Sequence, residues 1–225
     1  MCGEDFRAVF DETLAIAQDI RDIGLTVFPV LGVHPAEITK ISERLSLAES
    51  AEIMMGGLTL AAQYVTEGKA VALKSGRPHY PAEPDVMEAS NGVLLHALTL
   101  AKETGCALQI HAETGPCADV PAMAAKVGMP VFRVVKHFGD PDTPLTPSLI
   151  AKHEGIPDLA KSGRAFTMES DYMDENERPG AVIGPKSVPR FTRRLLEEGK
   201  LTPDQIYRIH ADTPSRVYGV DVQLA

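Results

Sequence analysis

Five places along the chain join an apolar run to a side chain able to bind metals, protons or anions. "LGVHP" ends in His34 and "AVALKSG" in Lys74. "LQIHAE" ends in His111 with Glu113 just beyond, "VVKHFG" in His137, and "MESDYMDE" carries Glu169 and Asp171. Imidazole and carboxylate together form the ligand set of zinc, manganese or iron, and an open coordination position on such an ion activates water. A single strand-end histidine is more often structural or solvated than functional. It is the repetition at matched positions that points to chemistry. His79, His96, His153 and His210 do not share the pattern. His96 lies in a helical apolar stripe and reads as a core-edge residue, while His210, near a C-terminal helix, reads as exposed.

These groups need a scaffold that brings strand ends together. Apolar runs at 25–33, 70–76, 106–112, 130–138 and 165–172 read as strands, with a further short one near 148–151. Helical spacing fills 4–21, 45–64, 84–103, 119–127, 187–198 and 203–209 between and after them. Alternating strands and helices imply βαβ units and a parallel sheet buried on both faces. The fold class is therefore α/β, with an open doubly wound sheet and a TIM-type (β/α)8 barrel as the two arrangements. In either, ligand and catalytic groups collect at the carboxyl ends of the strands. No composition break marks a linker, so residues 1–225 are read as a single domain.

The bulk properties exclude several classes. A net charge of −9 is wrong for a general nucleic-acid coat protein, though it leaves room for an enzyme with a local basic patch. The three cysteines form no Cys-x-x-Cys pair, which argues against a disulfide framework or zinc ribbon and for a reducing, cytoplasmic setting. No apolar run approaches the roughly 18 residues of a membrane span, and the N-terminus has no signal-peptide pattern. There is no GxGxxG, GxxxxGK[ST] or GxSxG, so the dinucleotide, P-loop and α/β-hydrolase readings have no support.

With these motifs in view, the sequence resembles the TatD-like metal-dependent hydrolases, barrel members of the amidohydrolase superfamily, and within them an archaeal-type branch. "GVHPAEI" is similar to the family's Gly-x-His-Pro segment on its third strand. "LQIHAET" and "VVKHFGD" resemble its fifth- and sixth-strand histidine motifs. "MESDYMDENERPG" resembles its eighth-strand motif and "IYRIHADTPSRVYGV" its C-terminal helix. The likeness runs in order from about residue 25 to 219. It implies a site with one or two divalent metal ions (Zn, Mn or Mg) that hydrolyses ester bonds, DNA phosphodiesters among them. His111, His137 and Asp171 would be metal ligands, and Asp171 would also take a proton from the attacking water. His34, Arg77, Glu169 and Lys186 would contact an anionic small molecule or DNA.

Two departures from the family pattern matter. No strand carrying His-x-His precedes residue 25, so the expected barrel holds about six of its eight strands and is incomplete at the N-terminus. A truncated gene would explain this, as would a variant whose gap is closed by another subunit in a homo-oligomer. Secondly, Lys74 stands where the family has a metal-bridging Glu. It would ligate metal as a carbamate, as related superfamily members do, or bind the substrate anion as a cation, or simply snorkel or pair with Glu169 or Asp171. "GPKSVPRFTRR" adds Lys186, Arg190, Arg193 and Arg194 after the last strand, a common phosphate-binding position in barrels. Three functions follow for test: a TatD-like phosphoester hydrolase, a lactonase or esterase with carboxylated Lys74, and an inactive barrel that binds or assembles.

Overall fold

The computed structural model describes residues 2–172 and 183–222. Six parallel strands, β1 (Val30–Gly32), β2 (Ala72–Gly76), β3 (Ala107–His111), β4 (Val134–Lys136), β5 (Thr146–Ile150) and β6 (Thr167–Glu169), lie side by side in chain order. A doubly wound sheet reverses its order partway. The unbroken order here is that of a barrel wall. The wall is open, since β1 and β6 each have a strand neighbour on one side only among the described residues.

The helices are α1 (Arg7–Asp22), α2 (Glu37–Ser42), α3 (Leu47–Thr66), α4 (Pro84–Thr104), α5 (Val120–Val127), α6 (Ile156–Lys161), α7 (Ser187–Glu197), α8 (Pro203–Tyr207) and α9 (Thr213–Tyr218). The two longest have clear boundary chemistry. Ser46 and Glu49 form a capping box that starts α3. Pro84 opens α4, and Gly105 ends it in the left-handed conformation at φ 69°. Their apolar faces, including Leu58, Leu94 and Leu98, are fully buried against Leu31, Leu73 and Leu108 on the outer face of the sheet. Each such leucine contributes roughly 1.5–3 kcal/mol of burial. Replacing Leu98 by alanine is the change that would open a cavity in this layer.

The inner face follows the two-residue period of the strands. Val30, Ala72, Ala107 and Val135 pack on Val217 and Tyr218, so α9 closes the lower end of the barrel. Higher up the polar residues begin. Gly32 pairs in register with Lys74, and Lys74 with Gln109, while Gly76 pairs with His111. Lys74 therefore sits one inward layer below His111. Glycine is required at Gly76 because a Cβ there would collide with the His111 carbonyl.

The chain departs from its sequence pattern in several places. Only Val30–Gly32 of the 25–33 run joins the sheet, and residues 25–28 form no regular element. The 130–138 run opens with a 3-10 turn, Val131–Arg133, after Pro130. The strand expected near 148–151 begins at Thr146. Helix α2 is too short to show periodicity. Beyond α8 the chain continues through a π turn, Arg208–Asp212, directly into α9.

Candidate functional site

The carboxyl ends of the strands gather the histidines into a row. The rings of His34 and His111 lie 4.6 Å apart between centroids, His79 and His111 4.8 Å, and His111 and His137 5.4 Å. His111 Nε2 and His79 Nδ1 share a hydrogen bond of 2.8 Å. Burial, then the neighbouring His34, His137 and Lys74, press the His111 pKa down to about 3. The ring is thus neutral at physiological pH, the form that binds metal. His34 sits at the rim, and its pKa is lowered by lost solvent contact and by Lys74.

The row ends on two carboxylates. His137 Nδ1 lies 2.9 Å from Glu169 Oε1, and its Nε2 lies 3.3 Å from Asp171 Oδ1. Burial pushes the Glu169 carboxyl up, but hydrogen bonds from His137, Ser148 and the Phe138 backbone outweigh it and hold the pKa below the ordinary value. Asp171 shifts the other way. Burial raises it and the Glu169 charge adds to the rise, against His137 and Lys74. Two carboxylates at 2.9 and 3.3 Å from one imidazole thus differ in proton affinity, the usual basis for separate acid–base roles.

Two of the three described non-glycine residues with positive φ lie at the same place. Phe138 and Asp171 adopt left-handed conformations at φ 49° and 48°, each costing about 1–3 kcal/mol. Glu169 Oε1 accepts the Phe138 N–H at 2.8 Å, so the carboxylate that orients His137 also fixes the strained turn after it.

Lys74 lines an open cavity of about 560 Å³ with Gln109, Ser148, Glu169 and Asp171, roofed by His137. Burial lowers its pKa, opposed by Glu169 and Asp171. Arg77 is turned away from this space. It is 4% exposed and donates to Glu113, Asp119 (2.6 and 2.8 Å) and Asn91 (3.1 Å). The Asp119 hydrogen bond outweighs burial and, with Glu113, holds the guanidinium pKa above its ordinary value. Its position ties the loop bearing His79 to the loop after β3. Lys186 is exposed at the start of α7, whose Val188 borders the cavity.

The structure thus groups His34, His111, His137, Glu169, Asp171 and Lys74 around one opening, with Arg77 behind it and Lys186 at its edge. His79 is the member that sequence reasoning set aside. Its signal was its place in the loop directly after β2, at the same end of the sheet. His96 meets Thr59 at 3.1 Å on the helical layer, while His210 is half-buried against Thr192 at 3.0 Å and not exposed. Residues 173–180 of the "MESDYMDENERPG" motif lie outside the described residues.

The donor set suits a divalent ion in its chemistry. His111 is neutral, and His137 presents one ring nitrogen to Glu169 and the other to Asp171, imidazole and carboxylate being the donor types such an ion takes. In placement, no three His, Cys, Asp or Glu side chains among the described residues stand close enough to hold a metal ion.

A parallel wall with chemistry at the carboxyl ends of its strands is the ground plan of the barrel hydrolases. The TatD related DNase family matches residues 5–219, and the chain belongs to that family. It is 36% identical to an uncharacterized protein, MJ1127, of the archaeon Methanocaldococcus jannaschii, over 97% of this chain and 85% of the relative. No helix among the described residues is long and apolar enough to cross a membrane.

Proposed function

We propose that the chain is a divalent-metal-dependent hydrolase of phosphoesters, DNA phosphodiesters among them. The observation that carries this reading is the histidine row running into Glu169 and Asp171 at the strand ends of a TatD-family wall. On this reading His111, His137 and Asp171 are the residues that would hold the ion, which requires their side chains to close in from the placement seen here. When bound, it would supply a polarised water and neutralise charge on the phosphoryl group. Asp171, with its raised pKa, takes the proton from the attacking water at a carboxylate oxygen. Glu169 holds His137 through its Nδ1 and keeps the ring aimed at the opening. His34 at the rim and Lys186 at the start of α7 contact the anionic oxygens, and Lys74 supplies positive charge from below.

A second reading, a lactonase or esterase with carboxylated Lys74, is favoured by one observation. Burial lowers the Lys74 pKa, and the neutral amine is the form that adds CO₂, releasing a proton. The carbamate would lengthen the arm toward the histidine layer above.

The test is a substrate panel on protein reconstituted with zinc, manganese or magnesium. The expected result is metal-dependent turnover of phosphodiesters. Inert phosphoesters alongside lactone turnover that rises with bicarbonate would transfer the assignment to the second reading. A protein that retains no divalent ion by elemental analysis after reconstitution, and turns over nothing, would be a binding or assembly barrel.

A further inference from the structure

Helix α7 borders two separate spaces. Val188, in its first turn, lines the central cavity, whereas Phe191 and Arg194 line a groove of about 450 Å³ between α6 and α7. The groove begins at Lys152 and His153, immediately past β5 and at the same end of the sheet as the carboxylates. Ala151 there donates its N–H to the Glu169 carbonyl at 2.9 Å, so groove and site share a wall. From this point it passes down to Lys161, the last residue of α6, and to Lys200 just beyond α7.

Its chemistry differs from that of the rest of the chain. Lys152, Lys161, Arg194 and Lys200 meet the lining carboxylates Glu154 and Asp158, with Glu198 beside Arg194 and Lys200, so cations outnumber carboxylates by one in a protein of net charge −9. Asp158 holds Lys161 at 3.6 Å, and Glu198 holds Lys200 at 2.7 Å and Arg194 at 3.6 Å, which ties these cations along the groove. Arg194 lies 4.6 Å from the centroid of the Phe191 ring. A guanidinium laid on an aromatic ring offers a flat outer face to a nucleobase, and cations spaced along a groove track phosphates. A long polyanion approaching a net-negative chain needs such a local positive track.

We propose that this α6/α7 groove is a second, non-catalytic site for the backbone of a single-stranded nucleic acid whose scissile bond lies at the central opening. The proposal rests on the phosphoester reading above. The site would make affinity depend on strand length, while a small substrate would use the central opening alone.

The test compares the metal-loaded native protein with a Lys152→Gln, Lys161→Gln, Lys200→Gln variant and its glutamate counterpart. Substrates are a small chromogenic phosphodiester and single strands of about 4 to about 12 nucleotides, the length range one groove accommodates. The native KM is expected to fall as the strand lengthens. The glutamine variant should lose that gain, with KM for the longest strand raised about tenfold and kcat within about twofold. The small diester should be cleaved as before. A variant that keeps the native length dependence overturns the proposal, as does one whose loss is equal for the small diester.

Binding of a fluorescent strand across a salt series, on the Asp171→Asn background, reads the groove without turnover. Three lost charges should reduce the slope of log Kd against log salt by about 2, and an unchanged slope overturns the site. If no phosphodiester is cleaved at all, the phosphoester reading fails, and this salt slope alone decides the groove.

Discussion

Strands β1 to β4 deliver imidazoles and a lysine to the opening, whereas β5 and β6 deliver a hydroxyl and two carboxylates. The scaffolds behind them differ as well. The first four strands back onto α3 and α4, long helices with a continuous apolar core from Phe10 to Leu145. The last two rest on the short α6 and on α7, around a smaller core of Leu149, Ile156, Leu159, Phe166 and Leu195. His137 is the seam, reaching from β4 to both carboxylates. In the half with the thicker packing, burial lowers the pKa values of His34, Lys74 and His111. The thinner half holds charge, and fixes it with hydrogen bonds and strained turns at Phe138 and Asp171.

The sharpest way to break this division of labour is to remove charge from the carboxylate side. Asp171→Asn keeps the shape of the side chain and removes the proton acceptor. On the phosphoester reading it should lower kcat by about 10²–10⁴-fold, the usual range for a general base. Steady-state kinetics would check it. An Asp171→Asn protein with native kcat would remove Asp171 from the chemistry and leave the carboxylate half a structural one.

A smaller effect compares the two cores. Leu98 is fully buried in the α3/α4 layer, and Leu159, on α6, is 7% exposed in the smaller one. Leu98→Ala should cost about 3–5 kcal/mol and Leu159→Ala about 2 kcal/mol, because a thin layer collapses more readily onto the space left behind. Urea unfolding of both variants reads the difference. Equal losses would mean that the two halves are packed alike.

What the sequence made legible follows the same division. The strand-end histidines His34, His111 and His137 were visible because a period of two puts each at the end of an apolar run. Asp171 and Glu169 were visible for the same reason. His79 was not, because it lies in a loop, where no period exists; the register of Gly76 with His111 and the hydrogen bond between the two rings hold it beside His111. The depth of Lys74 was hidden too. Its place one layer below His111 comes from strand register, a long-range property that local spacing does not encode. The unpaired stretch at 25–28 shows the limit from the other side. Its residues have strand composition, but β-propensity counts only where a neighbouring strand is present to pair.

The smallest expected effect tests whether burial in the thinner half also suppresses charge. His210 sits behind β6 in the π turn, with Nε2 3.0 Å from the Thr192 hydroxyl, and burial lowers its pKa. The unfolded chain takes up a proton there near pH ~6.5. The folded protein does so only at a lower pH. Between these two pKa values the unfolded state binds more protons, so stability falls as pH drops below ~6.5 and is fully present above it. His210→Gln keeps a partner for Thr192 and removes this titration. Its unfolding free energy should therefore lose less than the native protein's between pH 7 and pH 5, measured by denaturant midpoint at matched ionic strength. The same slope in both proteins would show that His210 reaches solvent when protonated, and that the smaller core yields where the larger one does not.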